Sequence, residues 1–177
     1  MTIAAQFIER SRHYLAFEYP AKIRQCLHVL PPDALWHRTD ADSNSIGNLL
    51  LHLEGNVRQW IITSVGGQPG ERHRSAEFAA VEGVDAEELF RGLRETLDQA
   101  DAVIAGMSTA DLQTRRTIQG REVSVFDAIY HVVEHFALHT GQIILLTKRY
   151  QPGAIHFYED AGGLAIPRWR EQVRKER

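Results

Sequence analysis

The longest helical pattern in the chain covers residues 124–150. Ser124 is a typical helix N-cap, and Asp127 stands three residues later, where an acidic side chain completes a variant of the capping box. Pro152 and Gly153 follow the pattern as a stop signal. This pattern predicts a helix roughly 40 Å long. A chain that contains such a helix is expected to bury its apolar stripe against other helices.

Three further segments repeat apolar residues at helical spacing: residues 2–30, a segment from Ser43 or Ser45 to residue 65, and residues 85–105. Asp85 is the predicted N-cap of the last of these. Pro20 removes a backbone donor from the first segment and predicts a kink or break near residues 17–19. Four long helices with one core predict an all-α four-helix bundle over residues 1–150. The length of 177 residues is typical of one domain, so we expect residues 1–177 to form a single domain.

The segments between and after the helices carry weaker patterns. Residues 66–84 are rich in glycine and charge and are predicted to be a mobile surface loop. Residues 107–123 form a connection in which Gln119-Gly120 is compatible with either a short hairpin or an extended chain. The tail, residues 151–177, is predicted to be mostly irregular, with a short helix from Pro167.

Composition excludes several classes of function. The net charge of −3 gives no reason to expect a nucleic acid partner. The sequence contains no run of 18 apolar residues, so no membrane span is predicted. Charges occur near the N-terminus where a signal peptide needs an apolar core, so the expected location is the cytoplasm. Cys26 is the single cysteine and is expected to be a small buried hydrophobe rather than a nucleophile.

His131, His135 and His139 lie four residues apart within the long helical pattern. Side chains at this spacing share one helix face, and two such imidazoles can reach one metal ion. The same row is also compatible with ordinary hydrogen-bonded histidines on a bundle face. Two ligands from one helix hold a catalytic ion poorly, so a metal site requires a third ligand from another part of the chain.

His52 is the strongest candidate for the third ligand because it lies in the middle of the most apolar helix of the chain. A histidine buried there needs a hydrogen-bond partner or a metal ion. Gly55, one turn later, would allow another helix or a ligand to approach closely. We therefore predict a metal site of His52, His135 and His139. His131 is a fourth contact, a hydrogen-bond donor to the groups around the ligands, or an ordinary hydrogen-bonded bundle histidine.

Four amides flank the predicted ligands by helical spacing: Asn48, Asn56, Gln59 and Gln142. They can orient a substrate or a ligand imidazole, or they can simply be polar residues of a helix surface. Glu54 and Glu134 are expected to point away from the site. Three imidazole ligands would leave coordination positions for water or substrate, which is the catalytic rather than the structural pattern.

The segment SIGNLLLHLEGNVRQWI, followed some 80 residues later by HVVEHFALHTGQI, resembles the DinB and YfiT-like superfamily of metal-dependent proteins. The resemblance covers roughly residues 1–150 and implies a DinB-like four-helix bundle. In that family a histidine of the second helix and an H-x3-H pair of the last helix bind a divalent ion, and these positions match His52, His135 and His139. Thr140 replaces the arginine of the family's common HRGQ ending.

The resemblance also implies a function. Characterised members include S-transferases that use low-molecular-weight thiols such as bacillithiol or mycothiol, so the expected activity is a metal-dependent thiol S-transferase or hydrolase acting on a small molecule. The expected cofactors are a divalent ion, zinc or nickel first, and a low-molecular-weight thiol. Homodimerisation is a further expectation from the family. The alternatives are a non-catalytic dimeric bundle and a stress-response protein that binds a small ligand without turnover.

Overall fold

The computed structural model describes residues 1–169. Its first helix passes through Pro20 without a gap. A π-helical turn precedes the proline, and the Tyr19 N–H bonds to the Tyr14 carbonyl five residues earlier. Pro20 lies in the first turn of the α-helix that follows, and the carbonyl of Ala16, four residues before it, accepts instead from the Arg94 side chain at 2.7 Å. The predicted kink is thus a π-helical turn, and the segments are α1 (Ile3–His13), a π helix (Tyr14–Glu18) and α2 (Tyr19–Val29).

The second long helix begins with a capping box at Ser45, not at Ser43. The Ser45 hydroxyl accepts from the Asn48 N–H, and the Asn48 side chain accepts from the Ser45 N–H. Ser64 donates to the carbonyl of Gln59, five residues back, within the π-helical continuation. The segments are α3 (Ile46–Val57) and a π helix (Arg58–Val65).

The other two long helices begin where their caps predict. Asp85 accepts from the Glu88 N–H at 2.9 Å, and Ser124 forms a capping box with Asp127. These helices are α5 (Ala86–Ala105) and α6 (Val125–Tyr150); short 3₁₀ turns occupy Pro32–Ala34 and Asp111–Gln113.

The four long helices enclose one apolar core. Helix α3 packs against α5 and α6, and α2 packs against α6. The largest side chains that are almost fully buried come from all four: Ile23, Leu49, Leu53, Ile61, Leu93, Leu97, Ile129 and Phe136. The all-α bundle predicted from periodicity is therefore confirmed, and Cys26 is a buried residue of this core, as predicted.

Of the two alternatives for residues 107–123, the structure has the hairpin. Strands β1 (Arg115–Ile118) and β2 (Arg121–Ser124) pair in antiparallel register across Gln119 and Gly120. Both turn residues have positive φ, 53° and 75°, the conformation of a two-residue type I′ hairpin turn.

Two segments differ from prediction. The region 66–84 is not a free loop throughout: it contains the short helix α4 (Arg74–Ala79), which packs against α3. The tail contains a second antiparallel hairpin, β3 (Tyr158–Ala161) with β4 (Leu164–Pro167), and is therefore not mostly irregular. The helix predicted from Pro167 onward falls mainly outside the described residues. Within residues 1–169, no helix is both long and apolar enough to cross a membrane.

Candidate metal centre

The structure brings His52, His135 and His139 together between α3 and α6. Each offers one ring nitrogen, and these three nitrogens lie within 4.8 Å of one another. The Nε2 atoms of His52 and His135 are 2.9 Å apart. His52 is almost fully buried, whereas the other two rings are partly exposed, so the cluster opens to solvent on the side of α6.

In two of the three histidines, the second ring nitrogen has a hydrogen-bond acceptor next to it. Nδ1 of His52 lies 2.8 Å from Oε2 of Glu77, and Nδ1 of His139 lies 2.7 Å from Oε1 of Gln142. Carboxylate and amide oxygens accept hydrogen bonds, so both Nδ1 atoms donate. In the neutral ring of both histidines, these bonds leave the lone pair on Nε2, the form that binds metal.

Glu77 and Arg72 form a two-point ion pair beside His52. The Arg72 Nε donates to Oε1 of Glu77 at 2.7 Å, and its Nη2 donates to Oε2 at 2.8 Å. The same Nη2 lies 3.0 Å from Nδ1 of His52. Since both of these nitrogens donate to Oε2 of Glu77, their close approach is a contact and not a third hydrogen bond.

Neither Arg72 nor Glu77 was predicted from the sequence, because both belong to the region expected to be a mobile loop. One signal was present: Gly55 predicts a close approach one turn after His52. A side-chain carbon at Gly55 would overlap Oε1 of Glu77 and lie 3.0 Å from Nε of Arg72. The prediction of a close approach is confirmed, and the segment that approaches is the one that carries this ion pair.

Burial keeps two of the three histidines, His135 and His139, uncharged at neutral pH. The pKa of His135 is lowered to about 3, chiefly by burial and further by the neighbouring groups His139, His52, His131 and Arg72. Burial likewise lowers the pKa of His139, although the bond to Gln142 opposes this. Neutral imidazoles at neutral pH are a condition for metal binding, since a protonated ring has no free lone pair.

The pKa of Glu77 is shifted in the opposite sense to what burial alone would cause. Burial favours the neutral acid, but the hydrogen bonds and charges of Arg72 and His52 outweigh it and lower the pKa below its usual value. Glu77 is thus ionised at neutral pH.

His131 lies outside the three-histidine group. Its ring packs on Trp60 with 4.1 Å between ring centroids, and its Nε2 is 3.5 Å from Nδ2 of Asn56. The His131 ring also stacks on the ring of His135, with 5.3 Å between ring centroids, so it packs directly beside the cluster without being one of its three members.

The remaining flanking residues have separate roles. The Asn48 side chain donates to the carbonyls of Glu77 and Ala80 and so holds α4 against α3. Gln59 accepts from Arg72 at 3.1 Å. Glu54 bonds to Arg58 and does not contact the predicted ligands, as expected. Glu134 is exposed on α6.

The donor set is chemically suited to a divalent transition metal. Two nitrogens bound at ~2.05 Å to one tetrahedral ion lie ~3.3 Å apart, a separation between the 2.9 Å of His52 and His135 and the 4.8 Å limit of the group. Imidazole is a good ligand for Zn, Ni, Cu and Fe. A group of this kind could hold a metal ion, and three protein ligands are typical of catalytic zinc sites.

Comparison with known proteins agrees with this fold. The family model described as "Protein of unknown function (DUF1572)" matches residues 2–161. The chain is also similar to the crystal structure of a DinB-like protein from Bacillus cereus ATCC 10987, with a TM-score of 0.62 and 19% sequence identity. The match covers 80% of this chain and 92% of that one, and at this identity it shows the fold alone. No curated protein matches the chain.

Proposed function

This chain belongs to the DUF1572 family of DinB-like proteins, and on that premise we propose that it binds one divalent ion through His52, His135 and His139. The observation that carries the proposal is the cluster itself: three imidazole nitrogens within 4.8 Å of one another. The orientation of His52 and His139 by Glu77 and Gln142 supports it, because metal-binding histidines commonly donate their other ring N–H to an oxygen.

We further propose that the ion serves a metal-dependent thiol S-transferase or hydrolase reaction on a small molecule. A divalent ion lowers the pKa of a bound thiol or water and can polarise a carbonyl. Three features of this chain support a reactive site. The proposed ion has only three protein ligands, and two of these, His135 and His139, are partly exposed. The third, His52, is buried and has a fixed ring orientation. Zinc or nickel, and a low-molecular-weight thiol as second cofactor, are the proposals that follow from the DinB-like resemblance.

A homodimer is also proposed. Four large apolar side chains on α6 are more than 40% exposed: Phe126, Tyr130, Leu138 and Leu145. At 100° per residue they occupy an arc of about 120° on one side of the helix, next to the arc that carries the histidines. An exposed apolar face of this kind is typical of a protein interface.

Metal content tests the first proposal. The wild-type protein, purified and dialysed exhaustively, is expected to retain about one equivalent of zinc or nickel, or to bind about one equivalent after reconstitution with either ion. His135→Ala is expected to retain almost none. His28→Ala is the matched control, since it removes an exposed imidazole from α2 and should leave the metal content unchanged.

The outcomes separate the proposals. If the wild type binds neither zinc nor nickel while its circular dichroism shows a folded helical protein, the metal site is refuted. If metal is bound but no thiol-dependent or hydrolytic turnover is found across a substrate panel, binding stands and the enzyme proposal fails.

A further inference from the structure

Arg72 and Glu77 are among the most buried charged side chains in the described part of the chain, at 7% and 10% exposure. Both come from the segment between α3 and α5, and both lie against His52. Taking two charges out of water is costly, and a buried ion pair is weak evidence for stability alone. The placement of this pair beside one predicted ligand therefore suggests a role in the site.

The segment that carries the pair is hydrogen-bonded both to α3 and to the loop that precedes α3. The Asn48 amide, itself fully buried, donates to the carbonyl of Glu77 at 2.9 Å and of Ala80 at 2.7 Å. Arg38 donates to the carbonyls of Phe78 and Ala80. These bonds fix the backbone at Glu77 itself and in the three residues after it, so the carboxylate starts from a defined position.

The bonding of the carboxylate determines which nitrogen of His52 carries the proton. Arg72 donates to both oxygens of Glu77. One of these oxygens, Oε2, also accepts from Nδ1 of His52 at 2.8 Å. The proton of His52 is therefore on Nδ1, and the Nε2 lone pair faces His135 and His139.

We propose that Glu77 and Arg72 are positioning residues for His52: Glu77 fixes its tautomer and ring orientation, and Arg72 holds Glu77 in place. This inference rests on the proposed metal site. It adds two side chains to the three histidines of α3 and α6: Glu77 from α4, and Arg72 from the chain just before α4. Partners of this kind typically change metal affinity by about 10- to 100-fold when removed.

The test compares Glu77→Gln with Glu54→Gln. Both replace an ion-paired glutamate by its isosteric amide, but Glu54 pairs with Arg58 away from the cluster. Zinc affinity is measured by competition with a chromophoric chelator, and the visible spectrum of the Co²⁺-loaded protein reports the ligand geometry. Glu77→Gln is expected to bind zinc about 10- to 100-fold more weakly and to shift the Co²⁺ bands. Glu54→Gln is expected to match the wild type in both.

A purely structural ion pair gives a different result. In that case Glu77→Gln lowers the melting temperature, while the zinc affinity and Co²⁺ spectrum of the folded protein equal those of the wild type; this result overturns the inference. If Glu77→Gln does not fold, Arg72→Lys replaces it, because lysine keeps the charge but cannot hold both oxygens of Glu77 in the same plane. Unchanged affinity and spectrum in Arg72→Lys would equally overturn the inference.

Metal binding by the wild-type protein distinguishes failure of the positioning role from failure of the proposed metal site. A wild type that binds no zinc or nickel refutes the metal site, and the positioning role with it. A wild type that binds metal, with a Glu77→Gln variant of equal affinity, refutes only the positioning role.

Discussion

Gly55→Ala adds a single methyl group to α3 at the point where the Arg72–Glu77 pair crosses the helix. In most helix interiors this substitution is favourable by about 0.5–1 kcal/mol, since alanine loses less backbone entropy than glycine. At Gly55 the new carbon would overlap Oε1 of Glu77 and lie 3.0 Å from Nε of Arg72. Both side chains are buried and bonded at several atoms, so they cannot simply swing into solvent.

The displaced bonds set the size of the effect. Moving Glu77 away from the methyl group breaks or lengthens its two bonds from Arg72, at 2.7 and 2.8 Å. Hydrogen bonds to charged groups are worth about 1.5–3 kcal/mol each. We expect both hydrogen bonds to be lost in part, and we subtract the gain in helix propensity from glycine to alanine. The expected net destabilisation is about 2–4 kcal/mol. For a domain of this size the melting temperature should fall by about 5–12 °C.

Thermal and urea denaturation of the metal-free protein, followed by circular dichroism, measures this change. Gly141→Ala is the matched control, because Gly141 also lies within a long helix but a carbon added there meets no atom of the same chain within 4 Å. Both variants are compared in solution dilute enough to keep the protein monomeric, because Gly141 lies on the α6 face proposed for dimerisation. Gly141→Ala should gain about 0.5–1 kcal/mol. The two substitutions are thus expected to have opposite signs. If Gly55→Ala is stabilised as much as Gly141→Ala, the packing of the Arg72–Glu77 pair on α3 is refuted.

Two further predictions concern acid stability and assembly. The free energy of unfolding of the metal-free protein should fall as the pH falls from about 6.5 towards 3. The pKa of His135 is about 3 in the folded state and about 6.5 in the unfolded state. Between these values the unfolded state binds one proton more than the folded state, so acid favours unfolding. One proton contributes at most about 1.4 kcal/mol per pH unit, and partial exposure of the ring narrows the pH range over which it does so. His135→Gln should flatten the profile, and an equally steep profile in that variant would contradict the assignment. The homodimer predicts that Leu138→Glu lowers the mass measured by light scattering to that of a monomer, while Leu164→Glu, on the exposed β4 strand, does not. A monomeric wild type at high concentration would refute the homodimer.

Local signals predicted the long helices well because each signal involves residues close in sequence. Capping by Asp85 and the box of Ser124 with Asp127 need only a short stretch of chain, and both are present in the structure. The same is true of the two-residue turn at Gln119-Gly120, whose positive φ angles suit a hairpin.

The elements that were missed are short. Helix α4 has six residues, fewer than the window in which helical periodicity can be recognised. The β3–β4 hairpin had a usable signal, since Gly162-Gly163 separates two four-residue strands and both glycines have positive φ. Its strands are almost entirely exposed, so they lack the alternation of buried and exposed residues that normally marks a strand.

The contribution of α4 to the site depends on contacts between residues distant in sequence. His52 and Glu77 are separated by 25 positions, and no local pattern relates them. The sequence showed that a buried His52 needed an acceptor and that Gly55 left room for one. It did not show which segment supplies the acceptor, because that depends on how residues 66–84 fold back over α3.

The choice between His131 and His139 shows the limit of periodicity most clearly. Spacing alone makes the pair His131–His135 equivalent to His135–His139, since both are separated by four residues. What distinguishes them is the level at which α3 crosses α6. His52 lies opposite His135 and His139, with ring centroids 5.0 and 5.1 Å away, whereas the next turns of the second helix place Asn56 and Trp60 opposite His131. A shift of one helical turn between these helices would exchange the roles of His131 and His139, so the packing of the bundle core, not the histidine row, determines which two imidazoles join His52.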